Sequence, residues 1–139
     1  MDCKLKQVVY DCYGHSKARI RYHVILVTKY RRKCLNRIKS SVFDSFKWIE
    51  DTSDIKIHIM TVDKDHVHLI ISFPHKYSIT QTINRLKQGT TRYLYIHNLE
   101  HLKKFYWKKK NILWSSSYFI STIGYVSDNN VTTYIKNQG

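Results

Sequence analysis

Two histidines one residue apart, His66 and His68, share a chain with Tyr134 and Gln138, which lie four apart near its end. His66-Val67-His68 sits in an apolar run from Val62 to Phe73 that reads as a strand. Side chains alternate across a strand, so both imidazoles point to one side, about 7 Å apart along it. Two imidazoles on one face can bind one cation. Tyr134 and Gln138 occupy a helix-like segment and also share a face. A cation site, a phenol and an amide together point to phosphoryl transfer through a tyrosine. A phenol, with a pKa of about 10, attacks poorly until its proton is removed or its target is polarised. A histidine-bound cation can neutralise the scissile phosphate and position it for in-line attack. The phosphotyrosine ester keeps the energy of the broken bond, so a later hydroxyl can rejoin the strand without ATP.

The donor set narrows the cation. Mg²⁺ and Mn²⁺ prefer oxygen, and Mn²⁺ also accepts imidazole. Gln138 can supply a carbonyl oxygen as third ligand. Zn²⁺ would favour a third nitrogen or sulfur, which His58 on a neighbouring strand can offer. His23 reads as a structural residue or a DNA contact. Asp63 and Asp65 precede the pair. Lying opposite the aliphatic stripe of its strand, the pair is expected to stay out of the core. Eleven tyrosines compete as nucleophile. Most suit core or stacking roles. Tyr125, after Gly124, is the rival, but nothing spaced near it completes a site.

These groups need a scaffold. At 139 residues with 42% hydrophobic content the chain fits a single domain, residues 1–139. Ile20–Thr28 reads as a first strand and Lys29–Lys33 as a basic turn. Ile38–Asp51 has helical spacing at Ile38, Val42, Phe46 and Ile49. Ile55–Val62, with Ile55, Ile57 and Ile59 on one side, forms a hairpin with Val67–Phe73 through the turn Asp63-Lys64-Asp65. Pro74 ends that strand. Ser78 caps a helix with an inward stripe of Ile79, Ile83, Leu86, Thr90 and Tyr93, and Gly89 is a soft spot in it. His97 to Ser117 reads as a loop-rich connection and Tyr118–Ile123 as a fourth strand. A last helix, capped by Ser127 or Asp128, runs to Gln138. Residues 1–19 form a polar arm or irregular strand. The order is β-α-β-β-α-β with an additional C-terminal helix carrying the nucleophile. This is an α+β, ferredoxin-like (RRM-like) antiparallel sheet.

Charge names the partner class. Twenty-four Lys and Arg against ten Asp and Glu give a formal net charge of +14, which favours a polyanion. Interleaved aromatics suit single-stranded nucleic acid, because bases stack on rings while cations follow phosphates. The densest cluster is Lys103, Lys104, Phe105, Tyr106, Trp107, Lys108, Lys109 and Lys110. A second comprises Lys29, Arg31, Arg32 and Lys33, extended along a helix by Arg85, Lys87 and Arg92. Cys3, Cys12 and Cys34 fit neither a disulfide framework nor a zinc knuckle. Reduced thiols, no visible signal peptide and no membrane-length apolar run imply a cytoplasmic protein.

The segments YHVILVTKYRRKCL at 22–35, DHVHLIISFPHKYS at 65–78, INRLKQGTTRYL at 83–94, LWSSSYFISTIG at 113–124 and YIKNQ at 134–138 resemble, in order, those of the single-tyrosine HUH transposases. These serve small bacterial and archaeal insertion sequences that move as single-stranded DNA, the IS-two-hundred-like group. The resemblance implies a ferredoxin-like fold, a metal pair at His66 and His68, Gln138 as third ligand and Tyr134 as the nucleophile that takes a 5′-phosphate. It also implies Mg²⁺ or Mn²⁺, hairpin recognition at single-stranded DNA ends, and a homodimer in which one subunit's tyrosine helix can complete the other's histidine site. Lys136 stands where the terminal motif usually has an acidic residue, and Tyr125 where a small one is common. Relatives usually continue for a short helical stretch past this motif. Two other readings remain. One is a non-catalytic nucleic-acid-binding module, although such modules place aromatics where this strand places His66 and His68. The other is an HUH nickase of replication or transfer, which usually belongs to a larger protein.

Overall fold

The computed structural model describes residues 20–123. The expected N-terminal arm, the terminal helix, Tyr125, Tyr134 and Gln138 lie outside the described residues, as do Cys3 and Cys12. The elements run β1 (Arg21–Thr28), α1 (Lys39–Thr52), β2 (Lys56–Val62), β3 (His66–Ser72), α2 (Ile79–His97), α3 (Leu99–Lys103) and β4 (Trp114–Ile123). One antiparallel sheet has the order β2-β3-β1-β4. This is the expected α+β, ferredoxin-like arrangement, with β1 and β3 in its interior.

Period-two patterning puts Val24 and Leu26 of β1 and Val67, Leu69 and Ile71 of β3 on one side, all fully buried. Val42, Phe46 and Ile49 of α1 and Ile83, Leu86 and Leu94 of α2 cover them in a single main core. Ser78 caps α2 reciprocally: its hydroxyl accepts from the Gln81 amide at 3.0 Å, and the Gln81 side chain accepts from the Ser78 amide at 2.8 Å. The inward stripe of α2 differs from expectation at its ends. Ile79 is exposed and Tyr93 half-buried, while Leu94 and Tyr95 are buried. Tyr95 earns its place by donating its hydroxyl to the Ile112 carbonyl at 2.6 Å.

Gly89 is a contact point rather than a weakness. A Cβ there would collide with the Ile49 side chain, so glycine lets α1 and α2 approach closely. Two further expectations need correction. β2 carries a bulge between Ile57 and Ile59, so Ile59 turns away from Ile57 and packs against Ile70 on the sheet's other side. The connection after residue 97 contains the short α3, and β4 begins at Trp114, where the indole donates to the buried Thr90 hydroxyl at 2.9 Å.

Candidate metal and DNA site

The turn before β3 is tied down on both sides. Asp63 N–H donates to the His66 carbonyl at 2.8 Å, Thr28 N–H to the Asp65 carbonyl at 2.9 Å, and Leu35 N–H to the Lys64 carbonyl at 3.0 Å. His66 and His68 emerge from this hairpin on the same sheet face, as alternation requires, with ring centroids 4.8 Å apart and planes at 77°. The expectation that the pair avoids burial fails for His68, which is 3% exposed. β3 is an interior strand, so neighbours on both sides cover this face too.

Each ring is held through its Nδ1. His66 Nδ1 lies 2.7 Å from Asp65 Oδ1, and the Arg31 guanidinium reaches the other carboxylate oxygen of Asp65 at 3.3 Å. Burial alone would raise the Asp65 carboxyl, but the His66 hydrogen bond and Arg31 outweigh it and hold it below the usual range. His68 Nδ1 lies 3.4 Å from His23 Nε2, with the two rings stacked at 5.6 Å. His23 is fully buried and sits edge-on to Phe119 at 5.6 Å. Burial, reinforced by His68, lowers the His23 imidazole to about 4. Burial and the neighbouring His66 likewise lower His68. Near neutral pH both His23 and His68 are therefore uncharged, the form in which an imidazole offers a lone pair.

The outer nitrogens are the informative ones. His68 Nε2 is buried and has no hydrogen-bond partner among the described residues. A buried polar atom without a partner costs about 1–3 kcal/mol, so its retention points to a ligand. His66 Nε2 lies 3.7 Å from Asp63 Oδ2. The tautomers that place N–H on Nδ1 of His66, toward Asp65, and on Nδ1 of His68, toward His23, leave both Nε2 lone pairs to face a cation. This is the usual way in which outer-shell partners fix a metal-binding tautomer. The donor set fits a divalent ion incompletely. Among the described residues no group of three or more His, Cys, Asp or Glu side chains could hold a metal, and Gln138 lies outside them.

His58 is not the third imidazole. It lies three residues along β2 from Thr61, the partner of His68, and its Nε2 pairs with Ser72 Oγ at 2.8 Å, four residues along β3 from His68. His23 was the underrated residue. Sequence shows its type, but only the pairing of His23 with Ile70 brings it diagonally beside His68.

The two basic clusters meet. Lys29, Lys87, Arg92, Lys110 and Trp114 line one open groove of about 460 Å³. Lys87 donates to the carbonyls of Ser115 (2.8 Å) and Ser116 (3.2 Å), and its burial lowers its pKa. Arg85 does not extend this groove: it donates to the Thr52 carbonyl at 3.2 Å and lines a separate hollow with Ser53, Ile55 and Tyr77. Lys33, Lys104, Lys108, Lys109 and Lys110 are exposed. Lys103 is half-buried and donates to the Lys108 carbonyl at 2.9 Å. Tyr106, expected among the DNA contacts, is 3% exposed and donates its hydroxyl to the Lys29 carbonyl at 2.7 Å. Its ring is a wall of the core, closed to a base. Trp107 beside it is 69% exposed.

Comparison with known proteins follows this geometry. The family described as "Transposase IS200 like" matches residues 16–138. The ISDra2 transposase TnpA of Deinococcus radiodurans is 28% identical over 120 residues, covering 86% of this chain and 84% of that protein. A crystal structure described as a transposase of the same organism superposes with a TM-score of 0.69 at 26% identity, over 92% of this chain and 96% of that one. A REP-associated tyrosine transposase solved with a REP hairpin shares the fold, with a TM-score of 0.57 at 14% identity over 88% of this chain and 67% of that one. No helix of the described residues is long and apolar enough to cross a membrane.

Proposed function

The chain belongs to the IS200-like transposase family, and on that premise we propose that it cuts and rejoins single-stranded insertion-sequence ends through a covalent bond to Tyr134. The observation that carries the proposal is the histidine pair: two rings on one face, each anchored at Nδ1, with His68 Nε2 buried and without a hydrogen-bond partner among the described residues. When bound, a divalent ion such as Mg²⁺ or Mn²⁺ supplies positive charge to a phosphodiester oxygen. His66 and His68 would hold it, with the Gln138 carbonyl as third ligand. Asp65 and His23 act as positioning residues that orient the two rings through their Nδ1 atoms.

In the cutting step the Tyr134 phenolate forms a bond to phosphorus and the bond to the 3′ oxygen breaks. The phenolic proton goes to solvent, and the departing oxygen takes one up as a 3′-hydroxyl. The 5′-phosphate stays on tyrosine. Rejoining is the reverse, with another 3′-hydroxyl displacing the phenol, so no ATP is consumed. The REP-associated relative bound to a hairpin supports hairpin ends as the DNA form recognised. The Lys29, Arg92 and Lys110 groove has the charge to follow the backbone. A homodimer in which one subunit's Tyr134 reaches the other's histidines completes the proposal.

The test uses single-stranded element ends with Mn²⁺ and a denaturing gel. Wild type should give a protein–DNA adduct and Tyr134→Phe none. An adduct that persists in Tyr134→Phe, or never forms with wild type, rejects the assignment. Mixed His66→Ala and Tyr134→Phe subunits should regain the adduct after exchange, and no recovery despite proven exchange places each site within one subunit.

A further inference from the structure

Resting on the reading that this chain handles single-stranded DNA, we propose that Tyr30, Arg32 and Trp107 form a stacking platform for one unpaired nucleobase, beside the histidine pair. Trp107 is the most exposed large hydrophobic among the described residues at 69%, and Tyr30 is 59% exposed. Single exposed apolar side chains are ordinary. These two are not single. The Arg32 guanidinium lies 5.5 Å from the Tyr30 ring centre and 5.4 Å from that of Trp107, so one planar cation braces both rings. Lys29 adds its ammonium 5.6 Å from Tyr30.

The two rings come from distant segments that the fold fastens together. Lys29 N–H donates to the Leu113 carbonyl and the Tyr106 hydroxyl to the Lys29 carbonyl, both at 2.7 Å. The backbone between them is unusual. Tyr30 has φ 61° and ψ 17°, and Arg31 has φ 52°, a left-handed conformation that residues with a Cβ seldom adopt. The turn persists because Thr28 Oγ1 donates to the Arg32 carbonyl at 2.7 Å and Cys34 N–H to the same carbonyl at 2.9 Å. Two consecutive left-handed residues leave the Tyr30 ring in solvent while Arg31 reaches Asp65, which holds His66. Local strain of this kind, fixed by several hydrogen bonds, is characteristic of ligand-contacting turns. An open indole face, a guanidinium behind it and flanking lysines match a flat, π-rich ligand on a polyanionic backbone, which is an unpaired base of a DNA strand. Arg31, between Tyr30 and Arg32 in the chain, ties this turn to His66 through Asp65.

The experiment is equilibrium binding in EDTA, so that it is independent of strand transfer. The probes are a short oligothymidylate and an abasic strand with the same number of phosphates. Wild type should prefer the strand with bases. Trp107→Ala should lower that preference about tenfold, with an unchanged salt slope because no phosphate contact is lost, and Trp107→Phe should keep most of it. Equal preference in wild type and Trp107→Ala overturns the platform and leaves strand binding standing. Wild type that binds neither strand overturns the platform together with the wider reading.

Discussion

β3 presents two faces to two different environments. Toward the helices it offers Val67, Leu69 and Ile71, all fully buried in apolar contact. Toward the other side it offers His66, His68, Ile70 and Ser72, of which only His66 keeps appreciable exposure. Both faces are therefore largely covered, yet they differ in kind. The first contains groups that gain by leaving water. The second holds imidazoles whose desolvation is offset by single hydrogen bonds, and one nitrogen without any partner among the described residues. Burial alone does not distinguish core from site here; the accounting of polar atoms does.

The contrast is open to direct attack. His68→Ala and Leu69→Ala change adjacent residues on opposite faces. His68→Ala should slow Mn²⁺-supported strand cleavage about a thousandfold, the several kcal/mol a bound cation contributes. Its stability should fall by less than that of Leu69→Ala, since the cavity and the lost His23 hydrogen bond are partly offset by removal of a buried nitrogen with no partner among the described residues. Leu69→Ala should cost about 2–5 kcal/mol in denaturant unfolding and leave Mn²⁺ affinity near wild type. A larger stability loss in His68→Ala than in Leu69→Ala would show the division of labour to be wrong. Next in size is Asp65→Ala, which should weaken Mn²⁺ binding by calorimetry about ten- to a hundredfold through release of the His66 ring. Unchanged affinity would remove Asp65 from the site.

The smallest effect sharpens the apolar side. Burial pushes the Cys34 thiol from 9.0 up to about 11. The folded protein keeps this proton where the unfolded chain has released it. The associated stability is thus present below about pH 9 and fades as pH rises toward 11. At pH 9 iodoacetamide should modify Cys34, followed by peptide mass spectrometry, far more slowly in native protein than in urea. Equal rates in the two conditions would show that this side of the sheet is not dry.

Much of this was readable from the chain. Alternation in β3 and helical spacing in α1 depend on residues near in sequence, and both survive in the structure. The His66 and His68 pair follows from period two alone. What escaped depends on partners far along the chain. His23 joins the site only through the register of β1 against β3. The bulge at His58 reverses Ile59, and nothing in an alternating run announces an extra residue. Tyr106 and Trp107 are neighbours without periodicity, so sequence could not tell that the first faces the core and the second the solvent. Gly89 looked like a defect because the side chain it accommodates belongs to another helix. The Ser115-Ser116-Ser117 stretch extends β4 despite weak strand preference, across a shift of register between Tyr118 opposite Leu26 and Trp114 opposite Thr28 that nothing in the local sequence announces.

The interior position of β3 has a dynamic consequence. Its backbone is hydrogen-bonded to β1 on one side and β2 on the other, so its amides should be among the slowest to exchange with deuterated solvent. The imidazoles thus stand on one of the two interior strands of the described sheet. Any adjustment of geometry during a reaction there falls to whatever is brought to them.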